Sequence, residues 1–357
     1  MTDDRLRELI GGMLMIGFDG ETVTSDVEAL VREVRPGGII LFKRNVGGGP
    51  VQVARLTADL QDLAQKSYGR PILTAIDQEG GSVRRLAPPF MQAPSQRHMA
   101  DTMSISEVRT LGEQSGRELS AVGLNFNLTP VLDLNTDPAA SYMTDRSFGS
   151  DPAVVASYAD AIIRGHASAG VLTCAKHFPG IGDVRLDPHH DLPRVDHPAE
   201  RILSLEMEPF RHAMESGVAA VMTSHVIYPG LDPEVPATFS AGIVTDLIRR
   251  ELGFNGLVLT DDLEMGAIVK HYQIGPASVK SVQAGADMLL VCHKPDRIRE
   301  AVQALTRGVD SGQIDLERLE ASRQRLQAAW NRIQPPPPGA LKEVFNLDGN
   351  PETHVSV

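Results

Sequence analysis

Eight short runs rich in Val, Ile and Leu recur along the chain, at residues 13–18, 38–42, 72–76, 124–128, 171–175, 219–223, 257–260 and 288–292. Each is nearly continuous in apolar or small residues, the pattern of parallel strands buried on both faces. Helical patterns separate them. Ser25 and Glu28 stand in capping-box spacing, ahead of a stripe of Val27, Leu30, Val31 and Val34. Val53, Leu56, Leu60 and Leu63 form a second stripe after Pro50, and Val108, Leu111, Leu119 and Val122 a third. Asp151 followed by Pro152 opens a helix reaching Ala169, and a helix over 240–252 carries Ile243, Leu247 and Ile248 before stopping at Gly253. Strand and helix alternating eight times, with no break in composition before residue 334, predict an α/β fold, a single-domain (β/α)8 TIM barrel over residues 1–333. Pro335 to Pro338 end the last helix, and residues 334–357 read as a polar, Pro-rich tail on the surface or disordered.

The hydrophobic share of 42% is ample for such a core, and the aromatic share of 4% makes it aliphatic. A net charge of −12 argues against nucleic acid or an anionic membrane as partner, because both would repel the chain. Cys174 and Cys292 lie inside apolar runs and read as small buried core residues. The apolar stretch 9–18 follows Asp3 and Asp4 without a basic segment, so it reads as a first strand and not a signal peptide. No run approaches the roughly eighteen apolar residues of a membrane span, and the expected location is the cytoplasm.

In a barrel of this kind the C-terminal ends of the strands carry the active site, and the polar residues collect there. Run three ends in Asp77-Gln78-Glu79-Gly80-Gly81 with Arg84 and Arg85 beyond; run four leads to Asn127, Asp133, Asn135, Asp145 and Arg146. Run five ends in Lys176 and His177, run six in Ser224 and His225, run seven in Asp261 and Asp262. Any one of these could cap a helix or solvate a surface. Five of eight strand ends polar in this way point instead to a shared site. The stretch Lys176 to Pro193 is the densest, with three Asp, three His, Lys and Arg punctuated by Gly and Pro.

These segments resemble a known family. Asp77-Gln78-Glu79-Gly80-Gly81, Asp145-Arg146-Ser147-Phe148, Lys176-His177-Phe178-Pro179-Gly180, Asp187-Pro188-His189 and Thr260-Asp261-Asp262-Leu263-Glu264-Met265 look like the ordered signatures of bacterial β-N-acetylglucosaminidases of glycoside hydrolase family 3, over about residues 10–295. The resemblance implies a retaining exo-glycosidase that removes terminal GlcNAc from peptidoglycan fragments or chitooligosaccharides. It implies Asp261 as nucleophile, Asp187 and His189 as an acid/base dyad on the loop after strand five, and Asp77, Arg85, Arg146, Lys176 and His177 as ligands of the sugar hydroxyls. It implies no metal and no organic cofactor. The partner is a small carbohydrate, and the chain is expected to be a monomer or weak homo-oligomer.

Retaining hydrolysis needs a carboxylate on one face of the anomeric carbon and a proton donor on the other. Adjacent residues on a strand point to opposite sides, so only one of Asp261 and Asp262 faces the axis, and Asp262 is expected to cap a helix or pair with a cation. Asp187 and His189, two apart on an extended loop, can point the same way, the carboxylate fixing the imidazole tautomer. Larger family 3 relatives recruit an acid/base Glu from a second domain and carry Trp after the nucleophile. Residues 293–357 are too few for that domain and the single Trp is Trp330, so the donor is expected within the barrel.

Three positions depart from the pattern: Ile181 stands where many relatives have His, Ser82 replaces a common Arg, and Pro188 separates the dyad partners where Ser or Thr is usual. Proline fixes its own φ and restricts Asp187, which would stiffen the loop. Other readings stay open. Asp187, His189, His190 and Asp191 have the composition of a metal site, although the HxH pair expected after the first strand of metal-dependent barrel hydrolases is missing. A phosphorylase, another family 3 exo-glycosidase, or a sugar-binding barrel that has lost catalysis would carry much the same sequence.

Overall fold

The computed structural model describes residues 3–139 and 141–347. Eight parallel strands close into a barrel in chain order: β1 (Leu14–Ile16), β2 (Gly38–Leu41), β3 (Leu73–Ile76), β4 (Phe126–Asn127), β5 (Leu172–Phe178), β6 (Ala220–Thr223), β7 (Leu257–Asp262) and β8 (Met288–Val291). β8 pairs with β1 through Leu289 against Leu14, which closes the ring. Every residue of the first six strands and of β8 is buried, as strands covered on both faces require. All eight expected strands are present, and the (β/α)8 class holds.

Local details differ from the sequence reading. The stretch 9–18 is not one strand: helix Asp3–Gly12 runs through Leu9 and Ile10 before β1 begins. Leu6, Leu9, Ile10 and Met13 follow helical spacing and are all buried, so their apolar face merges with the strand that follows. Helix Ser25–Val34 is capped by Thr24, whose hydroxyl accepts from the Val27 amide at 3.4 Å, and not by a Ser25–Glu28 box. β4 is short because Pro130 has no N–H to extend the ladder, although the Thr129 and Pro130 carbonyls still accept from Cys174 and Lys176.

β5 is longer than expected. Lys176 and His177 belong to the strand itself, beside a register shift between Ala175 and Phe178. Beyond it, Gly182 passes so close to the neighbouring connection that a Cβ would lie 1.6 Å from the Leu134 carbonyl oxygen, so only glycine fits.

Helix Leu316–Trp330 seals the N-terminal end of the barrel. Trp330 is buried, donates to the Gly37 carbonyl at 3.0 Å, and carries the Arg70 guanidinium 4.2 Å from its ring. That helix stops at Trp330, before the proline run begins at Pro335, and a further short helix, Ala340–Phe345, follows. Its Phe345 packs edge-on against buried Phe90 at 4.9 Å, so the first part of the tail docks. Residues 348–357 lie outside the described ones. Among the described residues, no helix is long and apolar enough to cross a membrane.

Candidate active site

The strand ends surround a cavity of about 430 Å³, the size of a small-ligand site. One wall is an ion cluster. Lys176 Nζ lies 2.9 Å from Asp77 Oδ1 and 2.6 Å from Glu79 Oε1; Arg146 grips both Glu79 oxygens, at 2.9 and 3.0 Å; Arg85 Nη2 reaches Asp77 Oδ2 at 3.1 Å. Burial alone would raise the Asp77 carboxyl, yet Lys176, Arg85 and Arg146 outweigh it and hold it well below the usual carboxylate range. Burial also works against ionised Glu79, and Arg146 and Lys176 overcome it to hold the group at about 2. Lys176 in turn stays charged because Asp77 and Glu79 outweigh its own desolvation. The result is a rigid, fully ionised wall. Asp77, Glu79, Arg85, Arg146 and Lys176 all border the cavity, and Arg85 keeps Nε without a partner.

His177 comes next along β5 and is held from behind. Asp133 is fully buried; its Oδ2 takes Nδ1 of His177 at 2.8 Å, while Oδ1 accepts the His177 and Ile181 amides at 3.1 and 2.8 Å. A carboxylate accepts, so the hydrogen sits on Nδ1 and Nε2 is left for a ligand in the cavity.

Across the cavity stands Asp261, near the end of β7. Asp262 also borders the space, but its carboxylate is engaged elsewhere: Oδ1 accepts the Glu264 amide at 3.0 Å and Oδ2 lies 3.0 Å from His293 Nε2. Of the two roles expected of it, it takes that of partner to a basic side chain; it braces the turn at Glu264 and does not cap the helix Gly266–Val269, whose N-cap is Met265. His225 turns its Nε2 to the Asp262 carbonyl at 3.0 Å, and burial lowers its imidazole so that it stays neutral. Ser224 braces Tyr228, whose hydroxyl donates to the Gly180 carbonyl at 2.8 Å. Ser224 and His225 therefore support the site from behind, while β6 itself reaches the cavity through Met222.

The loop after β5 covers the remaining side. Asp187 Oδ1 accepts the His189 amide at 2.9 Å and faces His189 Nδ1 at 2.7 Å. Burial would raise the Asp187 carboxyl, but these two bonds prevail and lower it. Pro188 and His189 border the cavity, with Asp187 behind them. Pro188 does not prevent this arrangement; its carbonyl accepts the Ala267 amide at 2.9 Å. The four residues considered as a metal site diverge, since Asp191 turns to His271 at 2.6 Å. Among the described residues, Asp183, His197 and Glu206 do gather, but Arg201 Nη2 sits 2.9 Å from Asp183 and 3.1 Å from Glu206, in the place of a cation.

A strand-end carboxylate and a loop imidazole thus border one cavity with a fixed ionic wall, and the profile of the glycosyl hydrolase family 3 N-terminal domain matches residues 5–329. The chain belongs to glycosyl hydrolase family 3. It is a glycoside hydrolase by that membership and by its relatives. A protein of Nitrosomonas eutropha named beta-hexosaminidase is 35% identical over 318 residues, covering 87% of this chain and 89% of its own. The structure of a family 3 β-N-acetylglucosaminidase from a Paenibacillus species superposes with a TM-score of 0.88 at 40% identity, over 98% of this chain and 64% of that longer one. A β-N-acetylhexosaminidase from Beutenbergia cavernae superposes at 0.85 with 30% identity, over 91% of this chain and 98% of its own.

Seven of the eight residues singled out from sequence border the family 3 cavity, and Asp187 stands behind His189. Sequence reasoning gave no role to Glu79, Tyr142, Glu264 or His293, which border it too. Glu79 had a signal, since it follows Asp77 by two on extended chain and so can share its side. His293 lies just beyond β8, separated from it by Cys292, and so closes the apolar run 288–292 as the other polar residues close theirs.

Proposed function

We propose that this chain is a retaining exo-β-N-acetylglucosaminidase that releases terminal GlcNAc from peptidoglycan-derived fragments. The observation that carries the reading is the pairing of Asp187 with His189 Nδ1 at 2.7 Å, on a loop that brings His189 to the same cavity as Asp261. That pairing leaves Nε2 as the position for proton transfer. In the first step the Asp261 carboxylate attacks the anomeric carbon. The glycosidic bond breaks as the His189 imidazolium, its Nδ1–H held by Asp187, delivers its Nε2 proton to the departing oxygen, giving a glycosyl ester and a neutral imidazole. In the second step His189 Nε2 removes a proton from water; the water oxygen bonds to the anomeric carbon, and Asp261 leaves as carboxylate. Two displacements give net retention.

Asp77, Arg85, Arg146, Lys176 and His177 hold the hydroxyls of the terminal sugar. Charged groups fixed before substrate arrives need little reorganisation, which favours tight selection of one ring. Names of relatives that specify β-hexosaminidase and β-N-acetylglucosaminidase support GlcNAc as that ring, and the sequence resemblance to bacterial enzymes acting on peptidoglycan fragments supports a cell-wall aglycone. Pure protein tested with a chromogenic β-GlcNAc substrate decides activity; no turnover with intact GlcNAc binding would leave a sugar-binding barrel. Trapping with a 5-fluoro-β-GlcNAc fluoride should label the peptide containing Asp261.

An imidazole donor also favours a second reading. Neutral or cationic His189 does not repel an incoming phosphate as a carboxylate would. Strong phosphate stimulation with release of sugar 1-phosphate would make the chain a phosphorylase.

A further inference from the structure

The nucleophile position is held from behind by a chain of contacts that ends in a histidine without an assigned role. The Asp262 amide donates to Asp261 Oδ1 at 2.8 Å, so the placement of Asp262 governs that of Asp261. Asp262 is fixed at its carbonyl by His225 and at its carboxylate by the Glu264 amide and His293 Nε2. His293 is itself anchored: its amide donates to Glu264 Oε2 at 2.5 Å, and its ring lies 5.2 Å from that of Phe42. Its Nδ1 lies 3.3 Å from Arg44 Nη1.

Arg44 is in turn immobilised by the Phe18 and Cys292 carbonyls, at 2.9 and 2.8 Å, and by Asp19 at 2.8 Å. Arginine can only donate, so Nδ1 accepts and the ring hydrogen sits on Nε2, directed at Asp262 Oδ2. The bond to Asp262 pushes the imidazole up, but a second proton would have to sit on Nδ1, against Arg44.

We propose that His293 is a positioning residue for the nucleophile: through Nε2 it keeps the Asp262 carboxylate turned away from the sugar and so holds the Asp261 carboxylate in line with the anomeric carbon. Without that bond the Asp262 carboxylate would be released toward that of Asp261, and repulsion would turn either of them. The inference rests on Asp261 as nucleophile.

Trapping kinetics isolate this role, because fluoride departs from a 5-fluoro-β-GlcNAc fluoride without help from an acid and the rate reports the nucleophile alone. A small displacement of a reacting group costs about 10²-fold, and His293→Ala should slow trapping by about that factor. Inhibition by free GlcNAc should be unchanged. His293→Gln, whose amide can reach the same Oδ2, should recover most of the rate, whereas His293→Asn, too short to reach, should not. Wild-type trapping by the Ala variant overturns the proposal, as does equal loss in the Gln and Asn variants or a parallel loss of GlcNAc binding. The position of the label in the wild-type enzyme is read separately: a label away from Asp261 sinks the nucleophile reading itself, whatever the variants do.

Discussion

The Pro188 carbonyl and the Ala267 amide share a 2.9 Å hydrogen bond, and through it the loop after β5 is latched to the segment that follows Asp261. Asp191 strengthens the latch by pairing with His271 at 2.6 Å and lying 3.8 Å from Lys270. The two halves of the proposed chemistry come from strands distant in sequence, so this contact sets their separation. Proline suits the position because it contributes only its carbonyl and needs no amide hydrogen.

Gly266 makes the latch possible. A Cβ there would lie 2.4 Å from the His189 carbonyl oxygen and 2.8 Å from that of His190. Gly266→Ala must therefore lift the loop and carry His189 from the cavity. Turnover of a β-GlcNAc substrate should fall by about 10²-fold, the usual cost of a small misplacement. GlcNAc inhibition should persist, since the ionic wall belongs to other strands. Wild-type turnover in Gly266→Ala would show that the latch does not matter.

Glu79 is nearly inaccessible and receives Arg146 and Lys176 together. Glu79→Gln leaves those two buried cations with Asp77 as their remaining carboxylate in the cluster. Removing one partner of a buried ion network costs about 3–5 kcal/mol. Denaturant unfolding should show a loss of that order, with weakened sugar binding. An unchanged midpoint would mean that the cations find other partners.

The same residue sets a pH window. Its folded value of about 2 lies below the ordinary 4.5, so its contribution to stability is complete above about 4.5 and drains as pH falls toward 2. Asp77 is lowered in the same direction. The stability gap between wild type and Glu79→Gln should therefore narrow on acidification through that window. Melting curves at several pH values test this; a gap that stays constant there contradicts the ionic account.

The docked tail has a consequence of its own. Phe345 covers Phe90, which lies on the connection after Arg85. Such an aromatic pair adds about 0.5–1.5 kcal/mol beyond its buried area. Truncation after residue 333 should lower the melting temperature and raise KM more than it lowers kcat, because the affected connection carries Arg85 and not Asp261. Unaltered KM would leave the tail without influence on the site.

The barrel was legible because strands covered on both faces leave uninterrupted apolar runs, and the site was legible because polar residues end those runs. Asp77, Lys176 and Asp261 each close one. Contacts between connections were not legible: nothing in the spacing of Glu79 and Arg146, on the connections after β3 and β4, reports that they pair. The helix Asp3–Gly12 was hidden by running almost straight into β1, so period and composition blurred at the junction. His293 shows the limit most plainly. A lone histidine after an apolar run has no partner in the sequence; only closure of the barrel brings Asp262 beside it.

Acid catalysis by His189 makes a prediction that separates it from a merely structural histidine. A leaving group that is already stable as an anion needs no proton, whereas an alkyl or sugar alkoxide does. His189→Ala should therefore lose little of the first step with an activated aryl β-GlcNAc, and about 10²–10⁴-fold with a disaccharide, the range of general acid catalysis. Asp187→Asn should follow the same pattern more weakly, because the imidazole survives but its Nδ1 partner loses charge. The second step also needs His189 as base, so the aryl substrate should show a burst of phenol followed by slow turnover. Equal losses with both leaving groups would place the donor elsewhere and reduce the Asp187–His189 bond to a device that shapes the loop.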